Sequence, residues 1–177
     1  MIETKEYAKA LFLLTEEDGI TDAALSDVGT VKTLLSENPE YRNLLDTPAL
    51  SKEERLRLID EAFASLSTYV KNLLKILCEK HAIFSFTRIA QDYSALVDEA
   101  RGIERVVAVS AVKMSDGQLL ALKEKLESIT GKTVIIRNTV DTAIIGGMKL
   151  RYAGLQLDGS LKSRLDSFEK ALGSVVI

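Results

Sequence analysis

The residues whose types and spacing come nearest to chemistry lie in the run IIGGMKLRYAGLQLDGS, from Ile144 to Ser160. Gly146 and Gly147 precede the alternating Met148-Lys149-Leu150-Arg151-Tyr152, and Asp158-Gly159-Ser160 opens a helical pattern. Paired glycines permit close backbone approach, and free N–H groups at a helix start attract anions, so one reading is a phosphate cradle. The glycine–lysine spacing of a phosphate loop is missing, which favours a structural hairpin entered through a glycine bend. Asp158 or Ser160 would then cap the helix that follows. The second candidate is Cys78 with His81, one helical turn apart and so compatible with an activated thiol. No orienting acid accompanies this pair, and Cys78 sits among Leu74 and Leu77, where a small buried hydrophobe is expected. One cysteine and one histidine are too few for an ordinary structural zinc site. These residues point to no catalytic group, no metal and no cofactor.

The chain that must position them has 177 residues, 46% hydrophobic and 28% charged, the composition of a globular protein of one domain or two small ones. No apolar run reaches bilayer-spanning length, and the start MIETKEYAKALF shows no secretory pattern. A lone cysteine fits a reducing compartment. The net charge of −3 conceals an asymmetry. Through Ile103 there are 12 Lys and Arg against 18 Asp and Glu; from Glu104 onward there are 11 against 8. Two regions facing different partners are expected. Nucleic acid is not among them, because the basic residues alternate with acids and form no dense stripe.

Residues 1–102 read as six helices with short connections, an antiparallel bundle. Thr4 is placed to cap the first, which runs to Glu17 before Asp18-Gly19. A second spans Thr21 to Leu35, and Pro39 opens a short third ending at Leu45. Ser51 and Glu54 form a capping box for a fourth that runs to Phe63. A fifth covers Thr68 to Lys80, and a sixth Ser85 to Ala100. At Ile103 the period changes. Residues 103–177 read as β-α-β-β-β-α, a small α+β domain: a strand from Ile103 to Val112, a helix capped by Ser115 and Gln118, a strand from Thr133 to Val140, the hairpin, and a last helix. Leu119, Leu122, Leu126 and Ile129 form the apolar stripe of the first helix in this domain; Leu161, Leu165, Phe168 and Leu172 form that of the second.

Two bundle helices carry more apolar surface than one stripe needs. The first has Ala8 and Phe12 on one line and Tyr7, Ala10, Leu11 and Leu14 on another. The fifth has Val70, Leu74 and Leu77 on one line and Tyr69, Leu73 and Ile76 on another. Either both helices are central and fully buried, or a groove between them receives a partner's amphipathic helix. Periodicity does not choose.

Tyr7-Ala8-Lys9-Ala10-Leu11-Phe12 resembles the YAKALF-type opening of the delta subunit of F-type ATP synthases, the counterpart of the mitochondrial oligomycin-sensitivity-conferring protein. Ile144-Ile145-Gly146-Gly147-Met148-Lys149-Leu150-Arg151, Leu157-Asp158-Gly159-Ser160 and Arg164-Leu165 resemble that family's C-terminal signature. The likeness covers essentially the whole chain. One departure falls at Glu79-Lys80-His81-Ala82, which lacks the family's common Asn-Gly turn, so Lys80 and His81 must change the chain direction without glycine.

The resemblance implies a non-catalytic stator subunit in the peripheral stalk of a proton- or sodium-translocating synthase. Its six-helix domain would sit on the alpha3-beta3 head and bind the N-terminal helix of an alpha subunit between its first and fifth helices. That makes Tyr7, Ala10, Leu11, Leu14, Tyr69, Leu73 and Ile76 the binding candidates. The C-terminal domain would hold b-type stalk subunits, with Gly146, Gly147, Arg151, Asp158, Gly159, Ser160 and Arg164 as its structural signature. The expected location is the cytoplasmic face of a bacterial inner membrane, reached only indirectly through the complex. Two other classes compete: a stand-alone enzyme using the glycine-rich stretch, and a generic helical adaptor outside ATP synthase.

Overall fold

The computed structural model describes residues 3–144, 146–152 and 155–158. The architecture is mixed α and β, and the chain divides into two compact units between Ala100 and Arg101.

The first unit is helical. Its elements are α1 (Thr4–Glu17), α2 (Thr21–Glu37), α3 (Pro39–Asp46), α4 (Lys52–Ala62), α5 (Thr68–Glu79), a one-turn 3-10 helix (Ile83–Ser85) and α6 (Phe86–Ala100). The punctuation follows local chemistry. Pro39 supplies the first turn of α3, where a missing N–H costs nothing. Ser51 Oγ accepts from the Glu54 N–H while the Glu54 carboxylate accepts from the Ser51 N–H, a complete capping box. Thr4 does not cap α1. It is the first helical residue, and its hydroxyl donates to Asp92 Oδ2 at 2.8 Å, tying α1 to α6. The step from α5 to α6 is made at His81, whose φ of 51° is left-handed, followed by the 3-10 turn. The sixth helix therefore starts at Phe86, one residue after the Ser85 that the pattern suggested.

Ala8, Val28, Leu35, Leu45, Ile59, Leu74, Leu77, Phe86, Ile89 and Tyr93 form a continuous buried core. One hydrogen-bonded chain crosses it. Thr15 Oγ1 lies 2.9 Å from the Leu11 carbonyl and 2.9 Å from the Tyr93 hydroxyl, which in turn reaches the Thr21 carbonyl at 3.5 Å. Both side chains are fully buried, and a buried hydroxyl without a partner would be costly.

The second unit contains β1 (Ile103–Ser110), α7 (Asp116–Thr130), β2 (Thr133–Val140), β3 (Met148–Tyr152) and β4 (Leu155–Asp158). The sheet order is β2-β1-β3-β4. β1 and β2 are parallel and joined by α7; β3 runs antiparallel to both β1 and β4. The first strand ends two residues before Val112, because Ser110 Oγ turns back to donate to the Val112 carbonyl at 2.7 Å. α7 has its capping box at Ser115 and Gln118 and closes on Gly131, at φ 68°, the left-handed position that favours glycine. Leu119, Leu122 and Leu126 are half-buried. Ile129 departs from the expected stripe and is 70% exposed.

The hairpin reading of the glycine-rich stretch holds: β3 and β4 pair antiparallel. Gly147, at φ 80°, sits immediately before β3 and makes the bend. Asp158 is the last residue of β4, and its carboxylate pairs with Lys149 Nζ at 3.1 Å; the helix start it was expected to cap lies outside the described residues. Gly159, Ser160, Arg164 and the expected last helix lie outside the described residues, as does the turn at Ala153-Gly154.

Candidate functional site

α1 and α5 lie against each other, and their apolar stripes separate by burial. Ala8, Leu11 and Thr15 of α1 and Val70, Leu73, Leu74 and Leu77 of α5 are buried. A second set stays at the surface: Leu14 is 44% exposed, Ile76 is 43% exposed, Ala10 is exposed, and Tyr7 and Tyr69 are half-buried. The two helices are therefore not fully buried, which removes one of the two sequence readings. Of the seven candidates, Leu11 and Leu73 are 4% and 6% exposed and belong to the floor. The other five keep side chains at the surface, exposed or half-buried. Leu13, 53% exposed, adds apolar area on α1 that the sequence reading had not singled out, although its neighbour Leu14 had been.

Tyr69 closes one end of this surface. Its hydroxyl donates to Asp18 Oδ2 at 2.6 Å, joining the first turn of α5 to the residue that ends α1. That hydrogen bond, and the charge of the same carboxylate, push the Tyr69 hydroxyl above its ordinary range. The result is an apolar strip with a polar tip fixed in place, suited to binding and without a nucleophile or general base.

The Cys78–His81 candidate resolves into a structural junction of α3, α4 and α5. Cys78 is buried, and its Sγ donates to the Leu45 carbonyl at 3.2 Å. Burial pushes its thiol up, against the smaller lowering effect of the Arg55 charge. The organising group is Arg55, which the sequence reading missed: an arginine near a helix start looks like any solvated charge. It is 7% exposed, and its Nη1 lies 3.3 Å from the Leu45 carbonyl, 3.2 Å from the Cys78 carbonyl and 3.2 Å from His81 Nδ1. Nη1 carries two hydrogens, so it can satisfy two of those three acceptors. The two carbonyls lie at the ends of helices α3 and α5, where the helix dipole favours a cation. His81 Nδ1 is then available to donate to the Asp46 carbonyl, 3.1 Å away. Nothing in this arrangement activates the thiol.

Among the described residues no group of three or more His, Cys, Asp and Glu side chains is placed to hold a metal, and no helix is long and apolar enough to cross a membrane.

Residues 4–172 match the family described as "ATP synthase delta (OSCP) subunit". The "ATP synthase subunit delta" of Geobacillus sp. (strain WCH70) is 35% identical over 172 residues, covering 97% of this chain and 97% of the relative. That of Clostridioides difficile (strain 630) is 33% identical over 172 residues, covering 96% and 95%. A chain of the Toxoplasma gondii mitochondrial ATP synthase hexamer shares the fold, with a TM-score of 0.75 at 21% identity, over 97% of this chain and 98% of that one.

Proposed function

The chain belongs to the ATP synthase delta (OSCP) subunit family, whose members are structural stalk subunits without catalysis of their own, and from that premise we propose how its two units work. The helical unit, 1–102, forms the head-binding bundle, and the α1/α5 surface receives the N-terminal helix of an alpha subunit. The α+β unit, 103–177, holds b-type stalk subunits. Together they join the alpha3-beta3 head to the stalk and oppose the torque of the rotating shaft, at the cytoplasmic face of a bacterial membrane and in contact with that membrane only through the complex.

The observation that carries this reading is the surplus apolar strip. Leu14 and Ile76 are large, apolar and nearly half exposed on adjacent helices whose other stripes already fill the core. A helix laid on such a strip and burying about 500 Å2 of apolar surface gains about 12 kcal/mol, enough to offset association costs of about 4–15 kcal/mol only if its anchors fit well. A stator needs tight attachment and no bond-making step, which matches a site that offers area and no reactive group.

The test uses the full chain and a peptide of the alpha-subunit N-terminus. Leu14→Asp and Ile76→Asp each place a charge on the exposed strip and are expected to weaken binding at least tenfold with the melting temperature unchanged. Tyr7→Ala should weaken it less, because Tyr7 is half-buried at the edge. Leu73→Asp is a poor probe, since it buries a charge in the core. Wild-type affinity in both aspartate variants removes the groove. A pull-down from the native membrane fraction that recovers neither alpha nor b-type subunits counts against the stator reading itself.

A further inference from the structure

The register of the sheet divides its side chains into two unlike faces. One carries Glu104, Val106, Ala108, Val134 and Leu150, with Val106, Ala108 and Val134 buried. The opposite face carries Arg105 and Val107 of β1, Arg137 of β2, and Lys149 and Arg151 of β3. At one level of this face Arg137, Val107 and Arg151 are direct cross-strand partners, in that order. Both arginines are exposed, the valine between them is half-buried, and Ile135 beside Arg137 on β2 is 43% exposed. Of the two carboxylates carried by the strands, Glu104 lies on the other face and Asp158 is engaged by Lys149. Neither Arg137 nor Arg151 has a carboxylate partner among the described residues.

From this we propose that the sheet face centred on Val107 docks an amphipathic helix whose acidic residues lie two turns apart with an apolar residue between them. The proposal rests on the stalk-binding role of this unit and names the face and the chemistry of the segment it accepts. Strands are about 4.8 Å apart, so the two arginines start about 10 Å from each other on either side of a valine. Two turns of an α-helix advance about 10.8 Å. Carboxylates at i and i+7 therefore each meet a guanidinium, while a leucine or isoleucine at i+3 or i+4 lies on Val107 and Ile135. Arginine suits this use better than lysine, since its planar fork binds a carboxylate through two parallel bonds. A lipid surface fits less well: it presents no fixed spacing and no apolar residue between its charges.

The experiment measures binding of the full chain to two synthetic helices of about 25 residues and equal composition, one with glutamates at i and i+7 around leucine, the other with their positions shuffled. The spaced helix is expected to bind at least tenfold more tightly. Arg137→Glu/Arg151→Glu should abolish that preference, and replacing the spaced glutamates by lysines should restore binding to this variant. Arg137→Gln/Arg151→Gln, a milder change, should lose most of the affinity and flatten its dependence on salt. Equal binding of the two helices overturns the proposal, as does wild-type affinity in the charge-reversed chain. Retention on phosphatidylglycerol vesicles without helix binding overturns it in favour of lipid. The same variants are tested on purified b-type stalk subunits. If the reversed chain binds them as the wild type does, this face fails and the stalk role stands. If the wild-type chain binds the spaced helix but no stalk subunit, the face stands and the stalk role fails.

Discussion

Tyr41 shows how one hydroxyl ties stability to alkaline pH. It donates to the Leu58 carbonyl at 3.0 Å, and burial, with smaller effects from Cys78 and Glu61, pushes its pKa up to about 12. The native state thus favours the protonated phenol. Its contribution is fully present below about pH 10, the ordinary value for tyrosine, and is lost as pH rises toward 12. Denaturant midpoints should fall across that window, and Tyr41→Phe should flatten the fall more than Tyr69→Phe, whose raised hydroxyl sits at the surface strip. Arg55 allows a sharper comparison. All three of its contacts converge on Nη1, while its Nε is buried without a partner. A lysine is one bond shorter, but it replaces that orphan nitrogen with a methylene and brings three hydrogens to one atom. Arg55→Lys should therefore stay within about 1 kcal/mol of wild type, whereas Arg55→Ala should lose about 2–4 kcal/mol in urea unfolding, from the emptied volume and the loss of a cation at two helix ends. None of this was legible in the sequence. The inert role of Cys78 was, because its apolar neighbours repeat at helical spacing.

The elements were legible where they carry their own punctuation. Ser51 with Glu54, Ser115 with Gln118, Pro39 and Gly131 mark helix ends by local chemistry that needs no tertiary partner. Thr4 is also a capping residue type, but its side chain is drawn to a distant partner, Asp92, and sequence spacing does not encode such a partner. The stripe of α7 was right for its leucines and wrong at Ile129, where a last-turn residue swings off the packed face. Because each unit has a complete capping box among the described residues, the two can be compared. Ser51→Ala and Ser115→Ala are each expected to cost about 1 kcal/mol, the first in the helical unit and the second in the α+β unit. Amide exchange should show faster opening confined to α4 in one variant and to α7 in the other.

On the scale of the whole chain, charge and apolar surface are distributed by unit. The acidic balance lies in the helical unit, with its apolar strip, and the basic balance in the α+β unit, where exposed cations share a sheet face. The sequence showed the charge asymmetry and the surplus stripes; it could not say which stripe faces outward, because helical periodicity has no inside or outside until α2 and α6 take their places. Nor could it show the paired arginines, which belong to different strands and meet only through the register. At this scale the expected outcome is separability. Leu14→Asp should impair attachment to the alpha-subunit peptide and leave stalk binding unchanged, measured by titration of the same full-length sample with each partner in turn.

The junction at Arg55 has one more consequence. The chain has a single cysteine, and Cys78 lies inside that junction, in the helical unit. Its thiol is therefore a clock for one half of the molecule. Under native conditions a disulfide reagent can reach it only when the ends of α3 and α5 part, so the labelling rate relative to an unfolded control reports how often that half breathes. Labelling should be slowed at least a hundredfold in the wild type, should quicken in Arg55→Ala, and should be indifferent to Ser115→Ala. An equal response to Ser115→Ala would mean that the two halves open as one.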